Sequence, residues 1–191
     1  VISPDRFIIQ SRYEPEWLEA RTHGVTATAV AEAATPSGYE SHVRSWSAPA
    51  FTGNVYTEFG SWAERYLLEH AQQTHGILPS DWLICGDVDW HLGTPDGLSL
   101  DHRTIAEAKT GGVIPKSVPR KHRDQSLWNL HITGADRCLY LFQHRAVADD
   151  GTFYLGLLEP ITFWIDRDET RIAELVTVAE RLMEAKHGND F

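Results

Sequence analysis

The stretch Thr94-Pro95-Asp96-Gly97-Leu98, followed by Ile105-Ala106-Glu107-Ala108-Lys109, constrains this chain more than any other. Pro95 presets φ at a corner, and Asp96-Gly97 supplies residues that tolerate unusual backbone angles. A second turn at Asp101-His102-Arg103 leads into residues 105–109, which read as a short strand, so the whole segment predicts a β-hairpin. Side chains alternate along a strand, which puts Ile105, Glu107 and Lys109 on one face and Ala106 and Ala108 on the other. An acid and a base are thereby held on the same side, with a small residue between them.

The rest of the chain supplies a scaffold for that hairpin. Glu14 to Arg21 reads as a short helix anchored by Trp17 and Leu18, and Thr26-Ala27-Thr28 caps a second helix running towards Ala34. Pro36-Ser37-Gly38 is expected to end it, and residues 40–54, which show no period, to form a loop-rich connection. From about Tyr56 to Gln73, Phe59, Trp62, Ala63, Tyr66 and Leu67 recur at helical spacing and predict a buried stripe, with Glu64 beside it. Residues 77–84 and 87–100 read as strands, and a helix follows from about Asp124 to Thr133. Residues 138–144 and 153–158 predict a hairpin through Asp149-Asp150-Gly151. A strand at 161–165 and an amphipathic helix at 169–186 complete the chain. The pattern predicts an α/β (mixed α+β) fold, a central mixed β-sheet flanked by helices. With no repeat and no linker rich in Gly, Pro or Ser, residues 1–191 are expected to form one domain.

Charge at first argues against a polyanionic partner, because the formal net charge is −10. Its distribution reverses the argument. From Lys109 to Arg123 the chain holds three Lys and two Arg with His122 besides, and no Asp or Glu. Lys116, Arg120, Lys121 and Arg123 therefore offer a local footprint for a phosphate backbone, with His122 a further candidate contact. No apolar run approaches the length of a membrane span. Val1–Arg6 lacks a basic region leading into an apolar one, and Cys85 and Cys138 form no disulfide framework or metal motif. A cytoplasmic location is the expectation.

The hairpin residues carry the chemistry. Hydrolysing a phosphodiester requires a nucleophile, neutralisation of the phosphate and stabilisation of the leaving oxygen, which Mg²⁺ held by oxygen ligands supplies. Asp96 and Glu107 are the candidate ligands, with the backbone carbonyl of Ala108 as a third donor. Lys109 is placed to orient water or to stabilise charge on the phosphate; service as a general base would require a lowered pKa. Asp87 and Asp89 could share a strand face and are assigned a structural or groove role. The ten His are scattered without the i, i+4 pair of a zinc hydrolase. The seven Trp are mostly core candidates, with Trp128 the one that could flank a nucleic-acid channel.

With these residues in view, the chain resembles the PD-(D/E)xK nuclease superfamily, and within it the phage lambda-type exonucleases and YqaJ-like viral recombinase nucleases. Pro95-Asp96 and Glu107-Ala108-Lys109 match the superfamily signature, and Gly60-Ser61-Trp62-Ala63-Glu64 looks like its glycine-to-glutamate helix motif. Trp17–Arg21 followed by Gly24-Val25-Thr26-Ala27-Thr28 is similar to the segment that recognises a DNA end, with one residue more between Arg21 and Gly24 than the lambda-type spacing. Gln125 falls where the family places a glutamine near the active site. The resemblance spans roughly residues 14–145 and implies a restriction-endonuclease-like core. It implies that Glu64, Asp96 and Glu107 bind one or two Mg²⁺ ions, with Mn²⁺ substituting, and that Lys109 and Gln125 assist. It also implies that Arg21 and Thr28 hold a terminal 5′-phosphate. The implied activity is 5′-to-3′ digestion of double-stranded DNA ends in phage recombination, in the host cytoplasm. A single-strand annealing protein and a ring of three subunits are the implied partners. Two alternatives stay open: an endonuclease of restriction or repair type, and a catalytically silent DNA-end-binding scaffold, against which the intact Glu64, Asp96, Glu107 and Lys109 argue.

Overall fold

The computed structural model describes residues 1–47 and 53–188. The N-terminal part contains strand β1 (Phe7–Gln10), helix α1 (Glu14–Thr22), strand β2 (Val25–Thr26) and helices α2 (Ala27–Ala33), α3 (Pro36–Ser45) and α4 (Val55–His75). Strands β3 (Ile77–Pro79), β4 (Trp82–Cys85), β5 (His91–Gly93), β6 (Gly97–Ser99) and β7 (Thr104–Gly111) follow. Helix α5 (Arg120–Thr133), strands β8 (Arg137–Val147), β9 (Phe153–Leu155) and β10 (Ile161–Asp166), and helix α6 (Glu169–Gly188) complete the order. No described helix is long and apolar enough to cross a membrane.

The central sheet runs β10-β8-β7-β6-β3, with β9 hydrogen-bonded to β8. It is mixed, as expected: β7 and β8 pair in parallel through the α5 crossover, and β6–β7, β8–β10 and β3–β6 are antiparallel. A second, smaller sheet in the order β1-β4-β5-β2 was not anticipated, because its strands are only two to four residues long and too short to show a period.

The predicted alternation along β7 organises the core. Ile105 packs with Leu127, Trp128, Cys138 and Tyr140 in the larger apolar cluster, which α2, α5 and α6 cover. Ala106 and Ala108 face the other way, against Leu67, Leu68 and Ala71 of α4 and Leu139 and Leu141 of β8. The alanines have a packing reason: α4 approaches the sheet closely only where β7 is small.

Several local expectations are corrected. Residues 36–45 are helical, not the end of a helix and the start of a loop. Thr35 is an N-cap whose hydroxyl accepts from the Gly38 N–H at 3.1 Å, and Pro36 sits at the first helical position, where a missing N–H costs nothing. Residues 48–52 of the expected loop lie outside the described residues. On α4 the buried stripe is Phe59, Ala63, Leu67, Leu68 and Ala71, whereas Trp62 is exposed. Helix α5 begins at Arg120, after Pro119, not at Asp124. Asp124 is buried within the helix because Arg171 of α6 grips both its oxygens, at 2.8 and 2.7 Å.

Trp128 is also corrected: it is fully buried, and its indole N–H donates to the Leu92 carbonyl at 3.0 Å. It therefore flanks no channel. Trp128→Ala is expected to destabilise the protein by about 3–5 kcal/mol, the usual cost of emptying a large core position, read as a lower urea midpoint. A loss below about 1 kcal/mol would contradict this placement.

Candidate active site

Asp96 ends the corner that enters β6, and its Oδ2 accepts from the Ala108 N–H at 2.7 Å. The carboxylate thus extends the β6–β7 ladder beyond its last backbone pair, Gly97↔Ala106. Gly97 is required here by close approach: a Cβ would stand 3.0 Å from both the Ala106 Cβ and the Ile77 Cγ2. Asp96 Oδ1 makes no hydrogen bond among the described residues and remains free to accept.

Glu107 is completely buried on the face opposite the alanines. One oxygen is ion-paired with Lys109, and the other accepts from the Asn129 Nδ2 at 3.2 Å. Gln125 and Asn129 stand four residues apart and so share a face of α5. Asn129 was missed by the sequence reading, although its spacing from Gln125 was a usable signal. Asn129→Ala leaves a buried carboxylate oxygen without its donor and is expected to cost about 1–3 kcal/mol in chemical denaturation. An unchanged midpoint would show that this hydrogen bond is not maintained in solution.

Electrostatics bind the cluster together. Burial raises the Glu64 carboxyl to about 7, with the neighbouring Asp96 charge adding to the effect and Lys109 opposing it. Burial likewise lifts Glu107 to about 7 against the attraction of Lys109, and lifts Asp96 against Lys109 and the Ala108 N–H. For Lys109 burial acts to lower the pKa, but Glu107, Asp96 and Glu64 outweigh it and hold the group above the ordinary lysine value. Lys109 is therefore an ammonium in this arrangement, suited to orienting and charge stabilisation rather than to proton abstraction.

Two cavities open onto these groups. One, of about 190 Å³, is lined by Trp17, Arg21, Thr28, Asp96 and Gln125 among others. The other, of about 320 Å³, is lined by Tyr56, Glu64, Ala108 and Lys109 among others. Arg21 stacks on the Trp17 ring with its guanidinium carbon 4.2 Å from the centroid, and burial lowers its pKa. The α1 helix and the Thr26-capped α2 helix, far from Asp96 in sequence, thus bring Arg21 and Thr28 to the same cavity.

The basic stretch behaves differently. Arg120 pairs with Asp124 at 3.7 Å, Lys121 with Glu32 at 2.8 Å and Arg123 with Asp168 at 2.9 Å. These three lie on the first turn of α5 and line neither cavity above. Lys116 is exposed on the preceding loop. His122 accepts from or donates to the Tyr140 hydroxyl at 2.8 Å, and burial lowers its pKa to about 4. Asp87 and Asp89 are exposed in the turn at 86–90, not on a strand, and Asp87 pairs with Arg6 at 3.1 Å.

Among the described residues, no three His, Cys, Asp or Glu side chains are gathered closely enough to hold an ion as they stand. The donor set nonetheless fits a hard divalent cation. Three carboxylates surround one ammonium, and burial raises the proton affinity of each acid, with the Asp96 charge adding to it for Glu64 and Glu107. The Glu64 carboxylate and Asp96 Oδ1 have no protein partner among the described residues and are free to serve as oxygen ligands.

No family model and no curated protein matches the sequence. Solved structures do match. LHK-Exo, an alkaline exonuclease from Laribacter hongkongensis, aligns with a TM-score of 0.68 and 21% identity, over 91% of this chain and 93% of that one. LHK-Exo in complex with dAMP aligns over the same shares with a TM-score of 0.71 and 21% identity. A phage-related exonuclease from Haemophilus somnus 129PT aligns with a TM-score of 0.66 and 15% identity, over 88% of this chain and 96% of that one. At these identities the likeness is one of architecture: the chain shares the fold of these exonuclease structures, a mixed α/β arrangement with a central mixed sheet flanked by helices.

Proposed function

We propose that this chain is a divalent-cation-dependent deoxyribonuclease of the lambda/YqaJ type that digests duplex DNA from its ends. The observation that carries the reading is the cavity in which Arg21 and Thr28 face Asp96 and Gln125. A cation and a hydroxyl beside a hydrolytic carboxylate are what recognition of a terminal phosphate next to the scissile bond requires. The likeness to exonucleases, one of them solved with dAMP, supports DNA as the polymer.

In this reading Glu64, Asp96, Glu107 and the Ala108 carbonyl would hold one or two Mg²⁺, for which Mn²⁺ substitutes. The ion supplies an activated water and neutralises the phosphate oxygens. Lys109, kept protonated by Glu107, positions the water and the phosphate through its N–H donors. Gln125 orients the substrate from the α5 side, and Asn129 holds Glu107 in register with Lys109. Arg21, pre-oriented by Trp17, clamps the 5′-phosphate together with Thr28. Lys116 offers a free contact to the backbone, whereas Arg120, Lys121 and Arg123 must exchange carboxylate partners to make theirs. The product is a 3′ single strand, the substrate of an annealing protein in recombination; a trimeric ring and a host-cytoplasmic location complete the proposal.

The test is digestion with Mg²⁺ of three substrates: linear duplex with 5′-phosphate, linear duplex with 5′-hydroxyl, and covalently closed circle. Linear phosphorylated DNA is expected to be degraded and the circle spared. Cutting of the circle would establish an endonuclease instead. Arg21→Ala is expected to erase the preference for the 5′-phosphate, lowering digestion of that substrate about 10–100-fold, since a charge-assisted pair is worth about 1.5–3 kcal/mol. An Arg21→Ala enzyme that keeps the preference would remove Arg21 from end recognition.

A further inference from the structure

Beside the cavity lined by Glu64 and Lys109, aromatic rings are arranged in a ladder. Phe59, nearly buried on α4, sits under two exposed rings on the neighbouring turns, Tyr56 and Trp62, which are 51% and 56% exposed. Its centroid is 5.5 Å from Trp62 and 5.8 Å from Phe153 of β9. Phe153 in turn stacks on Tyr56 at 5.2 Å with an interplanar angle of 26°. Arg145 of β8 lies over this stack, its guanidinium carbon 4.5 Å from the Tyr56 ring and 5.3 Å from that of Phe153. The guanidinium has rings, and no carboxylate, as partners among the described residues.

The ladder is capped at its base. Asn54 accepts from the N–H groups of Tyr56 and Thr57 at 3.0 and 3.2 Å, and Thr57 closes the capping box. These bonds satisfy N–H groups of the first turn of α4, which carries Tyr56. Tyr56 also lines the cavity that holds Glu64 and Lys109, so the platform is continuous with the candidate site.

We infer that Tyr56, Trp62, Phe153 and Arg145 form a stacking platform that receives unpaired nucleobases of a DNA strand beside the cleft. The identity of the occupant rests on the nuclease reading above. Three features select it. Flat exposed rings offer a π-face that every base can use without sequence preference. An Arg free of carboxylates supplies both stacking and a positive charge for the strand's phosphates. Continuity with Glu64 and Lys109 places the bases within one strand's reach of the site. A duplex buries its base faces in its own stack, so the platform favours strand that is already unpaired.

Binding is measured by fluorescence anisotropy in EDTA, so that cleavage does not intervene. The probes are an oligothymidylate dodecamer and a dodecamer of abasic residues with the same charge. The base-bearing strand is expected to bind about tenfold or more tightly, within the range for aromatic stacking. Tyr56→Ala and Trp62→Ala are expected to remove most of that difference, and Tyr56→Phe to keep it. Arg145→Ala is expected to weaken both strands and to reduce the salt dependence. Equal affinity for the two probes, or a Tyr56→Ala protein that still discriminates, would overturn the platform. So would sedimentation showing that Tyr56→Ala breaks an assembly of copies, because the rings would then be an interface between subunits. Digestion of linear duplex by the unmodified protein with Mg²⁺ separates the two ideas. Cleavage without base discrimination defeats only the platform, and base discrimination without cleavage defeats only the nuclease.

Discussion

Asp96→Asn is expected to lower cleavage of linear duplex by on the order of 10³-fold, at the upper end of losses for a single preorganised electrostatic group. The substitution is chosen for what it preserves. An asparagine carbonyl can still accept from the Ala108 N–H, the bond that Asp96 Oδ2 makes at 2.7 Å, so the β6–β7 junction is kept. What disappears is one charge and the free Oδ1, whose place is taken by an amide NH2 that has no lone pair to offer a cation. Lys109→Met is the complementary variant: it keeps the length and apolar stem and removes the ammonium. It is expected to abolish cleavage to a similar degree and also to cost stability, since it leaves Glu107 buried without its counter-ion. The two variants separate chemistry from folding: Asp96→Asn should melt near the unmodified protein, Lys109→Met below it. Wild-type cleavage rates in both variants would remove the hairpin from the active site altogether.

The parts of this site that were legible in the sequence are those that depend on neighbours along the chain. Alternation in residues 105–109 needs only the strand period, and the structure keeps Ile105 with one apolar cluster and Ala106 and Ala108 with the other. The corner at Pro95-Asp96-Gly97 and the cap at Thr26 are likewise local chemistry. What could not be read depends on partners distant in sequence. Lys121 finds Glu32, and Arg123 finds Asp168, so a run that looks purely basic is largely paired in space. Trp62 has the spacing of a core residue but lies off the buried stripe of α4, more than half exposed beside Phe59. Trp128 was a candidate to flank a nucleic-acid channel, yet α5 turns it inward to Leu92. Thr35-Pro36 was ambiguous in kind, because the same residues that punctuate a helix end also begin one. The small sheet was invisible because strands of two to four residues carry no period.

Burial of the carboxylates around Lys109 makes stability depend on pH and on divalent cations together. Glu64 and Glu107 have carboxyls raised to about 7 in the folded chain, against ordinary values of 4.5. The folded state therefore holds protons that the unfolded state has already released, and stability falls as pH rises from about 4.5 through about 7. In the metal-free protein the stabilisation from these two acids is accordingly lost between pH 5 and pH 8, while His91 and His122, whose pKa values burial lowers to about 4, act in the opposite sense. Ca²⁺, a hard cation that fits oxygen ligands, should restore this loss: at a hundred times its Kd it adds about 2.7 kcal/mol. For a chain of this size that corresponds to a rise in Tm of about 5–10 °C. The rise should be large at pH 8 and small at pH 5, where protons occupy the same carboxylates. It should shrink in Asp96→Asn, which lacks one ligand charge. Differential scanning calorimetry with and without Ca²⁺ at the two pH values reads all of these at once. An equal Ca²⁺ effect at both pH values, or an undiminished one in Asp96→Asn, would mean that the cation binds elsewhere and that these acids do not form a metal centre.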